Sequence, residues 1–127
     1  MQLSNEVITR MPVAPAAPKP ELYRDLHLTV DFGRCQVSLD ARLLVLTRKE
    51  YELLAKLVEN AGEIVSRDQL LLDVWGYSRE IRTRTLDVHI RRLRRKLAAR
   101  SERYIETIFG IGYRFQPIRA RLQLSVA

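Results

Sequence analysis

The side chains able to do chemistry in this sequence crowd into residues 79–100. Arg79, Arg82, Arg84, Arg91, Arg92, Arg94, Arg95, Lys96 and Arg100 stand there against only Glu80 and Asp87. That segment carries a formal charge of +7, and so does the whole 127-residue chain. The rest of the protein therefore balances to zero, and the basicity is a local device rather than a general aid to solubility. Concentrated guanidinium groups suit a polyanion: nucleic acid first, an acidic membrane surface second. Arg can fork onto guanine O6 and N7 or hold phosphate oxygens.

Other chemistries find little to work with. Cys35 is the only cysteine, which excludes an internal disulfide and a cysteine-rich metal site. His27 and His89 lack the close spacing of a metal-binding helix motif. Ser66, Asp87 and His89 form no nucleophile–base pattern, because residues two apart on a helix point in different directions. No enzyme activity, cofactor or metal is expected. No apolar run approaches the roughly 20 residues that span a bilayer. The first residues lack the basic start and apolar middle of a secretory signal. A cytoplasmic location and no membrane partner are the expectation.

The elements that must carry the basic segment follow from periodicity. Hydrophobic residues make up 46% of the chain, enough for the core of one modest domain with tails. Pro12, Pro15, Pro18 and Pro20 mark residues 1–21 as a linker or flexible arm. Leu26, Leu28, Val30 and Phe32 alternate with polar residues, as do Val37 and Leu39, and residues 43–46 form a short apolar run. Three short antiparallel strands are the simplest reading.

Thr47-Arg48-Lys49-Glu50 has the spacing of a capping box. It opens a helix with Leu54, Leu57, Val58 and Ala61 inward, stopped at Gly62. Ser66-Arg67-Asp68-Gln69 is a second such box, opening a helix with Leu70, Leu71, Val74 and Trp75 inward and Gly76 as its stop. A loop over residues 77–82 leads to a third helix, from about Thr83 to Ala99. Residues 104–109 and 113–115 flank Gly110-Ile111-Gly112, whose glycines permit positive φ in a hairpin turn. This order predicts an α+β protein: a winged helix-turn-helix with an N-terminal antiparallel sheet, three helices and a C-terminal β-hairpin wing.

At about 100° per residue, Leu86, Ile90, Leu93 and Leu97 of the third helix share one sector. Opposite lie Arg84, Thr85, Val88, Arg91, Arg92 and Arg95. His89 and Lys96 fall on one flank, Asp87 and Arg94 on the other. An apolar back with an Arg-rich front fits the DNA major groove, with Thr and Val suited to a thymine methyl. Asp87 is expected to pair with Arg91 or to orient Arg94.

Four motifs in order resemble the OmpR/PhoB-type response-regulator effector domain. Leu46–Leu54 is similar to its first helix, and Ser66–Leu71 with Val74-Trp75-Gly76 to its second. Arg84–Leu97 is similar to its recognition helix, and Gly110–Phe115 to its wing. The likeness covers about residues 26–116. It implies a four-stranded N-terminal sheet and a sequence-specific transcription factor on double-stranded DNA. The third helix would enter the major groove and the wing reach the minor groove. Arg84, Thr85, Val88, His89, Arg91, Arg92, Arg95 and Thr107 are the DNA-facing candidates by position. The resemblance also implies direct repeats bound by a head-to-tail homodimer. It further implies a polymerase-facing loop that includes Tyr77, Ser78, Arg79 and Glu80.

The chain departs from the family pattern twice. Phe109 stands where an Arg usually precedes the wing glycine, leaving three roles open: packing on a sugar, wedging at a base step, or bracing the hairpin. After the domain of residues 22–117, Ile118, Ala120, Leu122, Leu124 and Val126 alternate with polar residues, as in an extra strand or a frayed tail. The family's receiver domain, about 120 residues by itself, has no counterpart in the chain. An excised effector domain or a stand-alone regulator is expected. The alternative function is a protein-interaction module with only non-specific DNA affinity. RNA binding is disfavoured by aromatics at 7%, most of them fitting core positions.

Overall fold

A computed structural model describes residues 21–76 and 83–119. Of the expected arm 1–21 all but Glu21, the whole loop 77–82, and the expected tail 118–127 from residue 120 onward lie outside the described residues.

A four-stranded antiparallel meander comes first: β1 (Leu22–Arg24), β2 (Leu28–Asp31), β3 (Gln36–Leu39) and β4 (Arg42–Leu44), in the order β1-β2-β3-β4. The alternation predicts three strands, with Leu26 in the first, whereas the family resemblance implies the four that are found. Leu26 is instead 55% exposed, and β1 is an additional strand. The cause is Asp25, whose carboxylate accepts the backbone N–H groups of His27 and Leu28 and bends the chain between β1 and β2. The apolar run 43–46 also alternates. Leu43 and Val45 face solvent, while Leu44 and Leu46 pack on the core.

Helix α1 (Arg48–Glu59) starts with the complete capping box. Thr47 Oγ1 accepts the Glu50 N–H, and the Glu50 carboxylate accepts the Thr47 N–H. Strand β5 (Ile64–Ser66), three residues long and unforeseen, follows. Ser66 then caps α2 (Arg67–Leu70) by accepting the Gln69 N–H at 3.0 Å. The reciprocal half of this second box is missing, because the Gln69 side chain donates to Asp73 at 2.8 Å. The helix continues as a π-helical turn over Leu71–Trp75.

Helix α3 (Thr83–Leu97) ends two residues sooner than Ala99. A 3₁₀ turn (Ala98–Arg100) and a short helix, α4 (Ser101–Tyr104), place Tyr104 in a helix rather than in the wing strand. The wing is β6 (Ile105–Ile108) and β7 (Gly112–Phe115), and β5 completes a three-stranded sheet in the order β5-β7-β6. Gly110 alone of the wing glycines has positive φ. Gly112 is required for space: a Cβ there would lie 2.0 Å from the Val65 carbonyl oxygen.

One hydrophobic core joins all these elements, with Leu28, Leu53, Leu57, Leu70, Leu86, Leu93, Tyr104 and Phe115 fully buried. Asp25 fastens its lower edge. Its carboxylate also accepts the hydroxyls of Tyr23 and Tyr104, the latter at 2.6 Å, and the Ile118 N–H at 3.2 Å. Ile118 is buried, and its carbonyl accepts the Leu26 N–H at 3.0 Å. The first tail residue thus packs as part of the core rather than pairing as a strand.

Candidate nucleic-acid interface

The third helix has the face its sequence demands. Leu86, Ile90, Leu93 and Leu97 are at most 1% exposed and form its back. Arg84, Arg91, Arg92 and Arg95 are exposed on the opposite side, with Thr85 and Val88 half-buried among them.

Both flanks are fixed by hydrogen bonds from other elements. On one flank Asp87 accepts Arg67 Nη2 at 2.7 Å and the Tyr113 hydroxyl at 2.8 Å. This corrects the expectation that Asp87 pairs with Arg91 or orients Arg94. Arg67 begins α2 and Tyr113 lies in the wing, so one carboxylate ties three elements. The Arg67 guanidinium, with help from the Tyr113 hydroxyl, holds Asp87 below the usual carboxylate range. Burial and the Asp87 charge push the Tyr113 phenol up. Beside them Arg94 Nη2 donates to the Ile105 carbonyl at 2.9 Å and to Thr107 Oγ1 at 2.7 Å. The guanidinium carbons of Arg67 and Arg94 lie 6.0 and 5.7 Å from the Tyr113 ring centroid, a cation–π arrangement.

On the other flank Lys96 donates to the buried Glu50 carboxylate at 2.6 Å and to the Val45 carbonyl at 2.9 Å. Burial pushes the Glu50 carboxyl up, but bonds from Lys96 and Thr47 outweigh it and leave it below the usual range. His89 Nδ1 donates to the Thr85 carbonyl at 2.8 Å, and its ring meets Trp75 edge-on at 4.9 Å. His89 is thereby turned toward α2.

The basic residues of α3 therefore divide into two sets. Arg94 and Lys96 are engaged within the protein. Arg84, Arg91, Arg92 and Arg95 make no hydrogen bond or ion pair with any described residue. They are the expected DNA-facing arginines, brought together on one surface. Thr107 lies in the wing with its hydroxyl engaged by Arg94. Tyr77, Ser78, Arg79 and Glu80 fall outside the described residues. Sequence reasoning missed Arg67, Arg94 and Tyr113 as the residues that position α3. Their only signal was membership of the recognisable motifs, since their partners lie on other elements.

Phe109 does not brace the hairpin. It is 89% exposed in the β6–β7 turn, with Ile111 beside it at 52%. The turn itself is well held. Ile111 N–H donates to the Ile108 carbonyl at 2.9 Å, and Arg67 N–H donates to the Ile111 carbonyl at 3.1 Å.

A helical pair, a longer third helix with a basic outer face, and a three-stranded wing define a winged helix-turn-helix. Residues 41–115 match the family described as "Transcriptional regulatory protein, C terminal". The chain belongs to that family, the OmpR/PhoB type of response-regulator effector domain. It is 40% identical over 97 residues to response regulator ArlR of Staphylococcus saprophyticus, a match covering 76% of this chain and 44% of that protein. It is 50% identical over 70 residues to the uncharacterized transcriptional regulatory protein YclJ of Bacillus subtilis, covering 55% and 31%. The chain thus spans less than half the length of these relatives. Among solved structures it is similar to the RstA DNA-binding domain of Klebsiella pneumoniae in complex with the RstA box. That match has 33% identity and a TM-score of 0.70, covering 78% of this chain and 100% of that one. It is also similar to DrrB, a Thermotoga maritima OmpR/PhoB homolog, with 36% identity, a TM-score of 0.69 and coverage of 76% and 44%.

Proposed function

We propose that the chain is a sequence-specific, double-stranded DNA-binding transcriptional regulator whose α3 enters the major groove. The carrying observation is the division of basic residues on α3. Four arginines that make no hydrogen bond or ion pair with any described residue share its outer face, while its apolar back and both flanks are locked to the domain. A side chain that reads a base edge must be held in register by its scaffold, and phosphate contacts alone cannot specify sequence.

On this reading Arg91 and Arg92 fork onto base edges, Thr85 and Val88 meet thymine methyls, and Arg84 and Arg95 hold phosphates. His89, turned to Trp75, and Thr107, engaged by Arg94, act by holding the interface in shape. RstA of K. pneumoniae, solved with its DNA box, supports the target class. Binding to direct repeats as a homodimer, and contact with RNA polymerase through residues 77–82, rest on the family resemblance. No helix among the described residues is long and apolar enough to cross a membrane. On this reading the protein works in the cytoplasm, beside its DNA target.

Selection from a random duplex pool tests this, followed by titration of the winner and a scrambled duplex at several salt concentrations. A repeated motif preferred by at least ~10³-fold is expected. Equal, steeply salt-dependent binding to both duplexes would reduce α3 to a phosphate clamp and favour the protein-interaction alternative.

A further inference from the structure

The wing of this protein is electrically neutral and carries an aromatic tip. Between residues 105 and 115 the only charged side chains are Glu106 and Arg114, and these pair with each other at 2.8 Å. The wing therefore offers no uncommitted cation for a phosphate or a narrow, electronegative groove. It offers instead the ring of Phe109 and the side chain of Ile111, on either side of Gly110.

The position of this tip follows from the contacts of α3. Thr107, Ile105 and Tyr113 all bond to the Asp87/Arg94 flank of that helix. With α3 in a major groove, an element along that flank overlies the adjoining phosphate strand and the minor groove beyond it. The tip is rigidly mounted: β7 is paired on both sides, Gly112 packs directly on the β5 backbone, and the turn is bonded to the start of α2. Isolated exposed apolar residues are ordinary. A nearly bare phenyl ring on a stiff, uncharged hairpin that is bonded to the flank of α3 is a different case.

We infer that Phe109 is a specificity-determining DNA contact, an apolar wedge that enters the minor groove and partly unstacks one base step. The inference rests on the DNA-binding reading above. An apolar wedge senses deformability rather than hydrogen-bond pattern, so it favours pyrimidine–purine steps, which unstack most easily. The binding site then contains a preferred TA or CA/TG step outside the bases reached by α3.

The test uses the full chain, its selected duplex, and 2-aminopurine placed in turn at each position flanking a half-site. Wild-type binding should raise the fluorescence at one step only, and Phe109→Ala should abolish that rise. Phe109→Ala should weaken binding by about tenfold, in the range for loss of one base–aromatic contact, without changing the salt slope. Phe109→Arg should also lose the fluorescence signal while steepening the slope by about 0.9. Unchanged unfolding midpoints will show that both variants fold. If no position brightens, or Phe109→Ala binds as tightly as wild type, the wedge is refuted although sequence preference persists. If Phe109→Ala loses only cooperativity between half-sites, the tip touches a second copy and the wedge is likewise refuted. If wild type shows no sequence preference, the DNA-reader proposal fails first, and that result is separately visible.

Discussion

Gly112→Ala is the substitution whose cost can be worked most directly from the structure. The added Cβ would lie 2.0 Å from the Val65 carbonyl oxygen and 2.8 Å from Ser66 Cα, whereas real Cβ atoms essentially never approach within 3.0 Å. Both obstacles are backbone, so no side chain can swing aside. Strands β5 and β7 would have to part by about 1 Å or more at the Ser66–Gly112 pair. Overpacking of this kind costs about 1–3 kcal/mol or more. Weakening the adjoining ladder adds about 1 kcal/mol per hydrogen bond. A total near 3–4 kcal/mol follows, and for a domain of this size it lowers Tm by about 15 °C or more. Gly110→Ala is the control. Gly110 has φ +77 but open space where its Cβ would go, so only the left-handed backbone penalty of about 1–2 kcal/mol applies. Thermal unfolding by circular dichroism would rank them wild type above Gly110→Ala above Gly112→Ala. If Gly112→Ala melts with wild type, or above Gly110→Ala, then β5 does not press on the wing and the rigid mount of Phe109 is gone.

Three further outcomes follow from the same contacts. Arg95→Ala should leave Tm unchanged and lower the salt slope of DNA binding by about 0.9, whereas Arg94→Ala should lower Tm through its lost bonds to Ile105 and Thr107, read by melting and salt titration. Lys96→Met leaves the buried Glu50 charge without its cation and should cost about 2–4 kcal/mol, while Lys96→Met with Glu50→Gln should recover part of that loss in urea unfolding. Stability should be flat near neutrality and fall on both sides. Asp87 and Glu50 have depressed folded pKa values, so their contribution is complete above the unfolded value of about 4 and is lost as pH falls. Tyr104, raised by burial and Asp25, contributes fully below about pH 10 and loses that contribution above it, so Tyr104→Phe should flatten the alkaline limb of urea midpoints.

What the sequence revealed and what it hid have a common physical cause. The α3 surface was legible because four leucine and isoleucine positions at helical spacing leave the arginines only one place to go. The Thr47–Glu50 box was legible because both partners lie within one turn. Strands β1 and β5 were not legible in the residue pattern, although the resemblance implied a fourth strand in the first sheet, because three residues make no alternation and both strands exist only through pairing with partners elsewhere. Asp25 was invisible for the same reason: two of its donors, Tyr104 and Ile118, lie 79 and 93 residues away. Asp87 was misassigned because local spacing favoured Arg91, one turn on, while the fold delivers Arg67 and Tyr113 from 20 and 26 residues away. Phe109 was noticed as a departure. Only its exposure in the structure separates a bracing residue from a reaching one.

A helix that presents four arginines to solvent must be stable before any anion arrives. Like charges one turn apart, as at Arg91 and Arg95, cost a helix only about 0.2–0.5 kcal/mol per pair. Each of Leu86, Ile90, Leu93 and Leu97 returns about 1.5–3 kcal/mol on burial. The apolar back therefore outweighs the repulsion several-fold, and the cationic last turn is further favoured by the helix dipole. Asp87, on α3 itself and bonded to Arg67 and Tyr113, and Glu50, bonded to Lys96 of α3, sit at its flanks rather than among the outward arginines. Placed on the outer face, either would neutralise a guanidinium that DNA should meet. On the flanks they hold the helix and leave that face uniformly cationic. Duplex binding then relieves the residual repulsion, and the folded state gains stability with the logarithm of the ratio of duplex concentration to Kd.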